Sequence, residues 1–270
     1  MYETMKRKIS LYVFPALLIG ALMLSGCSPV TAPPQLPDPT APSAPTAIPT
    51  PDGSLHISLD TGSLANGFQT ETVAAVPASD NASYWEVLPE YTQVTLPGYP
   101  IGNSPIKPQI FIYPVEDLGK SNEGAGKVVT SLQTLLKSPQ EITEMPFLPL
   151  VNAKQVMHPQ LQYLDFKNGQ GLRYLTQFNQ GIVPINNYDL IYTYQGLTRD
   201  GKYYVAAVLP VNHPSLPADE IVTGKEPPEF MSNHSAYLAN VAKDLHAQAA
   251  NTFTPDLTQL DAMMSSLEIK

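Results

Sequence analysis

Asp60 stands in Leu59-Asp60-Thr61-Gly62-Ser63, a turn-like stretch that holds a carboxylate beside a hydroxyl. A carboxylate in such a place does chemistry in pairs, where two aspartates share one proton and activate a water. The pair needs a second Asp-(Ser/Thr)-Gly or a second copy of the chain. No second copy of the motif occurs, and the next Asp-Gly, Asp200-Gly201, lies between two strand-like runs as a hairpin turn. A strand ending in an Asp-Thr-Gly turn accounts for the same residues. The histidines are His56, His158, His213, His234 and His246. None belongs to a His-Glu-x-x-His pair, and none has a partner at ligand spacing on one helix face, so no metal site is read from spacing. Gly-x-Ser-x-Gly is absent, which leaves no nucleophile elbow. Gly124-Ala125-Gly126-Lys127 lacks the spacing of a phosphate loop, and Gly169 and Gly171 flank a turn, so no nucleotide cofactor is expected. Carboxylates are too many to single out a glycosidase pair.

The remaining reactive side chain is Cys27, the only cysteine. It can form no disulfide within the chain and no thiolate metal cluster. It follows Lys6, Arg7 and Lys8 and an apolar run from Ile9 to Leu24 broken by Ser10, Pro15 and Gly20. A basic start, an apolar middle and small residues at the end make an export signal. Leu24-Ser25-Gly26-Cys27 resembles the lipobox of bacterial lipoproteins. That resemblance implies a diacylglycerol on the Cys27 sulfur, cleavage before Cys27 and acylation of the new N-terminus. The partner so implied is membrane lipid, and the expected location is extracytoplasmic, on the cell membrane or on the outer membrane of a two-membrane cell. Asp60-Thr61-Gly62-Ser63 in turn resembles the signature of aspartic proteases and makes a surface hydrolase of wall polymer or peptides the alternative reading.

Charge narrows the partners. Net charge is −9, and removal of residues 1–26 leaves 12 basic against 23 acidic residues. Such a surface repels phosphate backbones and anionic headgroups, so nucleic acid is not expected and membrane contact falls to the anchor. Pro occupies nine of the positions between Ser28 and Asp52, among Ala, Thr, Ser and Asp. Polyproline II geometry at about 3.1 Å per residue makes this a semi-rigid tether reaching some tens of ångströms. The organisation expected is a signal over 1–26, a tether over 27–53 and one globular domain over 54–270.

The elements of that domain alternate between strand and helix periods. Strands are expected at Leu55–Leu59, Gln69–Val76, Tyr91–Leu96 and Gln109–Val115. Val128, Val129, Leu132, Leu135 and Leu136 recur at helical spacing, and Pro139 stops that helix. Leu161–Phe166, the turn cluster Lys167–Gly171, Leu172–Phe178, Leu190–Leu197, Arg199-Asp200-Gly201 and Tyr203–Val211 read as a four-stranded antiparallel meander. Helices are expected over Asn233–Ala250 and from Thr254-Pro255-Asp256 onward, with Thr254 as the capping hydroxyl. Leu267–Ile269 reads as a last short strand. The fold class is therefore α+β, an antiparallel sheet covered by helices.

Tyr203-Tyr204-Val205 and the closing Phe253-Thr254-Pro255, Leu260-Asp261, Met264 and Ser266-Leu267 resemble Mog1/PsbP-type α/β/α sandwich proteins. The resemblance covers about the last hundred residues and implies an accessory or binding role, with no site residue carried over. Adjacent Tyr203 and Tyr204 point to opposite sheet faces. With Tyr188, Tyr192 and Tyr194 they suggest a Tyr-rich face for a protein or glycan partner, while Tyr84, Trp85 and Tyr91 add rings upstream. The function expected is a membrane-anchored, non-catalytic binding or accessory module.

Overall fold

The computed structural model describes residues 55–140 and 142–270. The export signal, Cys27 and the proline-rich stretch lie outside the described residues. The elements run β1 (Ile57–Ser58), β2 (Gln69–Val73), β3 (Tyr91–Thr95), β4 (Gln109–Pro114), α1 (Val115–Ser121) and α2 (Glu123–Lys137). They continue through β5 (Lys154–Gln155), β6 (Gln162–Phe166), β7 (Gly169–Thr176), β8 (Phe178–Asn179), β9 (Ile191–Thr198) and β10 (Tyr203–Pro210). Then follow α3 (Glu229–Ser232), α4 (His234–His246), α5 (Leu257–Ser266) and β11 (Glu268–Ile269).

Seven strands form one antiparallel sheet in the order β2-β3-β4-β10-β9-β7-β6. It joins two meanders, β2-β3-β4 and β6-β7-β9-β10, along the β4–β10 seam. Gly201 takes φ +72° at the turn into β10, and Asp200 Oδ1 accepts from Thr198 Oγ1 at 2.7 Å and from the Lys202 amide at 3.1 Å. A side chain that caps its own turn fixes the register of the strands it joins.

The sheet is covered on both faces. Phe111, Tyr113, Tyr204 and Ala206 pack with Leu118, Ala125, Val129, Leu132 and Leu135 of α1 and α2. Ile110, Ile112, Val205, Ala207 and Leu209 point the other way, to Tyr237 and Leu245 of α4 and Leu257, Leu260, Met263 and Met264 of α5. The result is a helix–sheet–helix sandwich, α+β in class. Double coverage explains why β9 is buried at every position, its Thr193 and Gln195 included.

Glycine in the central strands makes room for rings. A Cβ on Gly171 would lie 2.5 Å from the Tyr194 ring, and one on its pairing partner Gly196 would lie 2.6 Å from that ring. Tyr194 fills the space that the two glycines leave open, an aromatic side chain laid over a bare stretch of ladder.

Two local expectations are corrected. Asp256, not Thr254, caps α5, its Oδ1 accepting from the Thr258 amide at 2.8 Å. Thr254 instead forms a two-way backbone bridge with Asn212, which holds it extended. The helix expected up to Ala250 ends at His246, and a separate short helix, α3, precedes it.

Candidate functional site

Asp60 is an exposed turn residue. Its Oδ1 accepts from the Gly62 amide at 3.0 Å, and Gly62 takes φ +52°, a conformation that favours glycine. The Asp60 amide donates to Ser266 Oγ at 2.9 Å, so the turn is seated on the end of α5. The cavity beside it, about 210 Å3, is lined from Asp60 to Leu64 and by Gln259, Ala262 and Met263. No second carboxylate lines it, so the structure does not bring Asp60 the partner that shared-proton chemistry requires.

Four tyrosines of the meander, Tyr174, Tyr192, Tyr194 and Tyr204, are pillars of the core, while Tyr163 of β6 is exposed. Tyr204 is fully buried and donates to Gln195 Oε1 at 2.6 Å. Tyr174 donates to the Pro146 carbonyl at 2.9 Å, Tyr194 to the Leu164 carbonyl at 2.8 Å and Tyr192 to Asp261 Oδ1 at 3.0 Å. Tyr203 is half-buried against the α4–α5 side. Of the residues expected on a Tyr-rich face, Tyr192, Tyr194 and Tyr204 thus lie inside the core, where burial pushes their phenols well up, while Tyr188 stays exposed.

No group of three or more His, Cys, Asp or Glu placed to hold a metal ion occurs among the described residues. His234 lies against Tyr237 with ring centroids 5.5 Å apart. His213 is buried, with Nδ1 2.7 Å from Ser215 Oγ, Nε2 3.2 Å from Thr252 Oγ1 and its ring against Phe253. Burial holds its imidazole below the ordinary value of 6.5, and that of half-buried His158 likewise. The unfolded chain thus binds protons near pH 6.5 that the folded chain refuses, so stability rises with pH through that window and is lost as pH falls below it. The thermal midpoint is expected to drop between pH 7.5 and pH 5.5, and to drop less in His213→Gln. A drop of the same size in the variant contradicts this role for His213.

What stays open to solvent is a second aromatic group. Backbone hydrogen bonds in both directions between Val76 and Leu88, 2.9 and 3.2 Å long, close residues 77–87 into a compact loop. A short 3-10 turn, Tyr84–Glu86, forms the last part of the loop before Leu88, and the Ser83 amide donates to Glu86 Oε2 at 2.9 Å. Asn122, buried at the junction of α1 and α2, holds this loop. Its Nδ2 donates to the carbonyls of Tyr84 and Val87 at 2.8 and 3.2 Å, and its Oδ1 accepts from the Ala125 amide, capping α2. Gly124 leaves the space for Tyr84, whose hydroxyl would sit 1.8 Å from any Cβ there.

Between this loop and the ends of β2 and β3 lies a cavity of about 560 Å3. Trp85, Tyr91, Leu88 and Val76 supply its apolar walls, and Ser79, Asn81 and Glu86 are exposed at its edge. Trp85 keeps 37% of its surface exposed, so its ring is free to meet a ligand. Behind the cavity, Tyr91 packs on Tyr113 at 4.9 Å, so one wall is rigid. The sequence shows these rings but not the Val76–Leu88 closure or the Asn122 clamp that turn them into a pocket. No family model, curated protein or solved structure matches the chain.

Proposed function

We propose that the chain is an extracytoplasmic lipoprotein, held to a membrane by acyl chains on Cys27, whose folded part is a non-catalytic binding module. The observation that carries the anchor is the position of the only cysteine, directly after Leu24-Ser25-Gly26 at the end of a basic and apolar leader. The Trp85 cavity supports the binding role. A flat indole and a phenol beside amide, hydroxyl and carboxylate groups suit a sugar ring or the polar edge of a protein partner. The likeness to Mog1/PsbP-type proteins stays part of this reading, and the helix–sheet–helix layering supports it. Hydrolysis at Asp60 draws no support from its surroundings.

Crosslinking on intact cells, followed by identification of what co-purifies with the full-length chain, tests the binding role. Trp85→Ala is expected to weaken recovery of the partner about thirtyfold, the loss of an aromatic anchor worth about 2 kcal/mol. Asp60→Asn is expected to leave recovery unchanged. A partner retained by Trp85→Ala, or a hydrolytic activity abolished by Asp60→Asn, overturns the assignment.

A further inference from the structure

A different cavity, about 540 Å3, opens between α4 and the 154–159 segment. Lys154 and His158 approach it from one side, Lys243 and His246 from the other, and no carboxylate is among its lining residues. In a chain as acidic as this one, two lysines thus line one cavity whose own walls carry no acid, although Glu144 and Asp244 stand exposed next to its lining residues. Neither lysine takes part in an ion pair among the described residues.

The positions of Lys243 and His246 have a structural reason of their own. They sit in the last turn of α4, where cations complement the helix dipole. That reason does not extend to Lys154 and His158, which come from β5 and the loop after it. Nor does it account for the floor, where Leu238 and Ala242 of α4 stay only partly buried. The His246 Nδ1 accepts from the Gln160 amide at 3.3 Å, which places the ring proton of the neutral form on Nε2, a donor. Ser235 and Thr143 add exposed hydroxyls. Donors around the rim and an apolar floor are the makings of a site for a ligand with one charged end.

We propose that this cavity binds an anionic amphiphile, its carboxylate or phosphate monoester held by Lys154 and Lys243 and its apolar body lying along Leu238 and Ala242. The site is separate from the Trp85 cavity and does not depend on the anchoring of Cys27. It favours compact single-tailed molecules, since an open groove of about 540 Å3 can seat but not surround a small organic ligand.

Membranes carrying the full-length chain can be irradiated with photoreactive analogues of decanoate, decyl phosphate and decanol, and the labelled peptides mapped. The two anionic probes are expected to mark the peptides around Leu238 and Met157 and to be displaced by excess unlabelled decanoate. The stronger of the two identifies the head group. The double variant Lys154→Gln/Lys243→Gln is expected to lower labelling about tenfold at equal thermal midpoint, and Lys154→Arg/Lys243→Arg to restore it. Equal labelling by decanol, labelling spread over the surface, or a double glutamine variant that labels like the parent overturns the proposal.

Discussion

Replacing Arg173 by Met is expected to cost the folded part about 2–3 kcal/mol, measured as a loss of unfolding free energy in urea, less than the loss of a fully buried pair because water still reaches Asp261. Arg173 belongs to β7 and is 4% exposed. Its Nε lies 3.1 Å from Asp261 Oδ1 and its Nη2 3.2 Å from Asp261 Oδ2, a two-pronged pairing with α5. Nη2 also donates to Gln162 Oε1 at 2.8 Å, and Nη1 donates to the Gln160 carbonyl. Gln160 extends the network. It holds φ +60°, and its Nε2 donates to the carbonyls of Leu245 and Gln248 at 2.9 and 2.8 Å, closing the end of α4. One guanidinium therefore ties the sheet to α5 directly and to the end of α4 through Gln160.

The size of the loss follows from what stays behind. Asp261 keeps only the Tyr192 hydroxyl as a charge-stabilising partner in the network, and a partly buried carboxylate without its cation is costly. Burial already raises the Asp261 carboxyl above its ordinary value, with Arg173 opposing that rise. A carboxyl raised in the folded state favours folding most below its unfolded value and loses that contribution as pH rises through the folded value. Without Arg173 the rise grows, so the variant's deficit is expected to be smaller at pH 4.5, where Asp261 takes up its proton, than at pH 7.5. Arg173→Met/Asp261→Leu is expected to regain most of the loss, because no charge is then left buried. A deficit under about 1 kcal/mol, or one equal at both pH values, contradicts the account.

Short-range signals carried most of the sheet. Alternation and turn chemistry at Asp200-Gly201 and around Asn168 mark the meander, and the apolar spacing from Ala125 to Leu135 marks α2. Long-range pairing was not legible. Nothing local in Gln109–Pro114 and Tyr203–Pro210 says that they lie side by side and join two meanders. Period two correctly sends Tyr203 and Tyr204 to opposite faces, but whether a face meets water depends on helices far away in sequence. The same holds for Arg173 and Asp261, which look like ordinary surface charges until β7 and α5 meet. Among the site residues, Trp85 and Tyr91 were visible as rings and His158 and His246 as isolated imidazoles. Their gathering into two cavities depends on a backbone bridge at Val76–Leu88 and on the docking of α4, neither of which has a sequence signature.

The proposed anchor rests on chemistry rather than on packing. A diacylglyceryl group adds two chains, and each buried CH₂ contributes about 0.8 kcal/mol, so two chains hold where one binds only reversibly. The surface charge of the chain opposes adhesion to anionic lipid, so no electrostatic attraction replaces the lost chains. No helix among the described residues is long and apolar enough to cross a membrane. Cys27→Ser is therefore expected to remove acylation and the cleavage that follows it. The direct measurement is the mass of the N-terminal peptide from cell membranes, taken on the parent chain and on Cys27→Ser. The account predicts a parent peptide beginning at Cys27 and carrying a diacylglyceryl group, and a variant that is uncleaved or released. A parent peptide beginning elsewhere with no lipid, or a Cys27→Ser chain that is processed and membrane-bound like the parent, contradicts it.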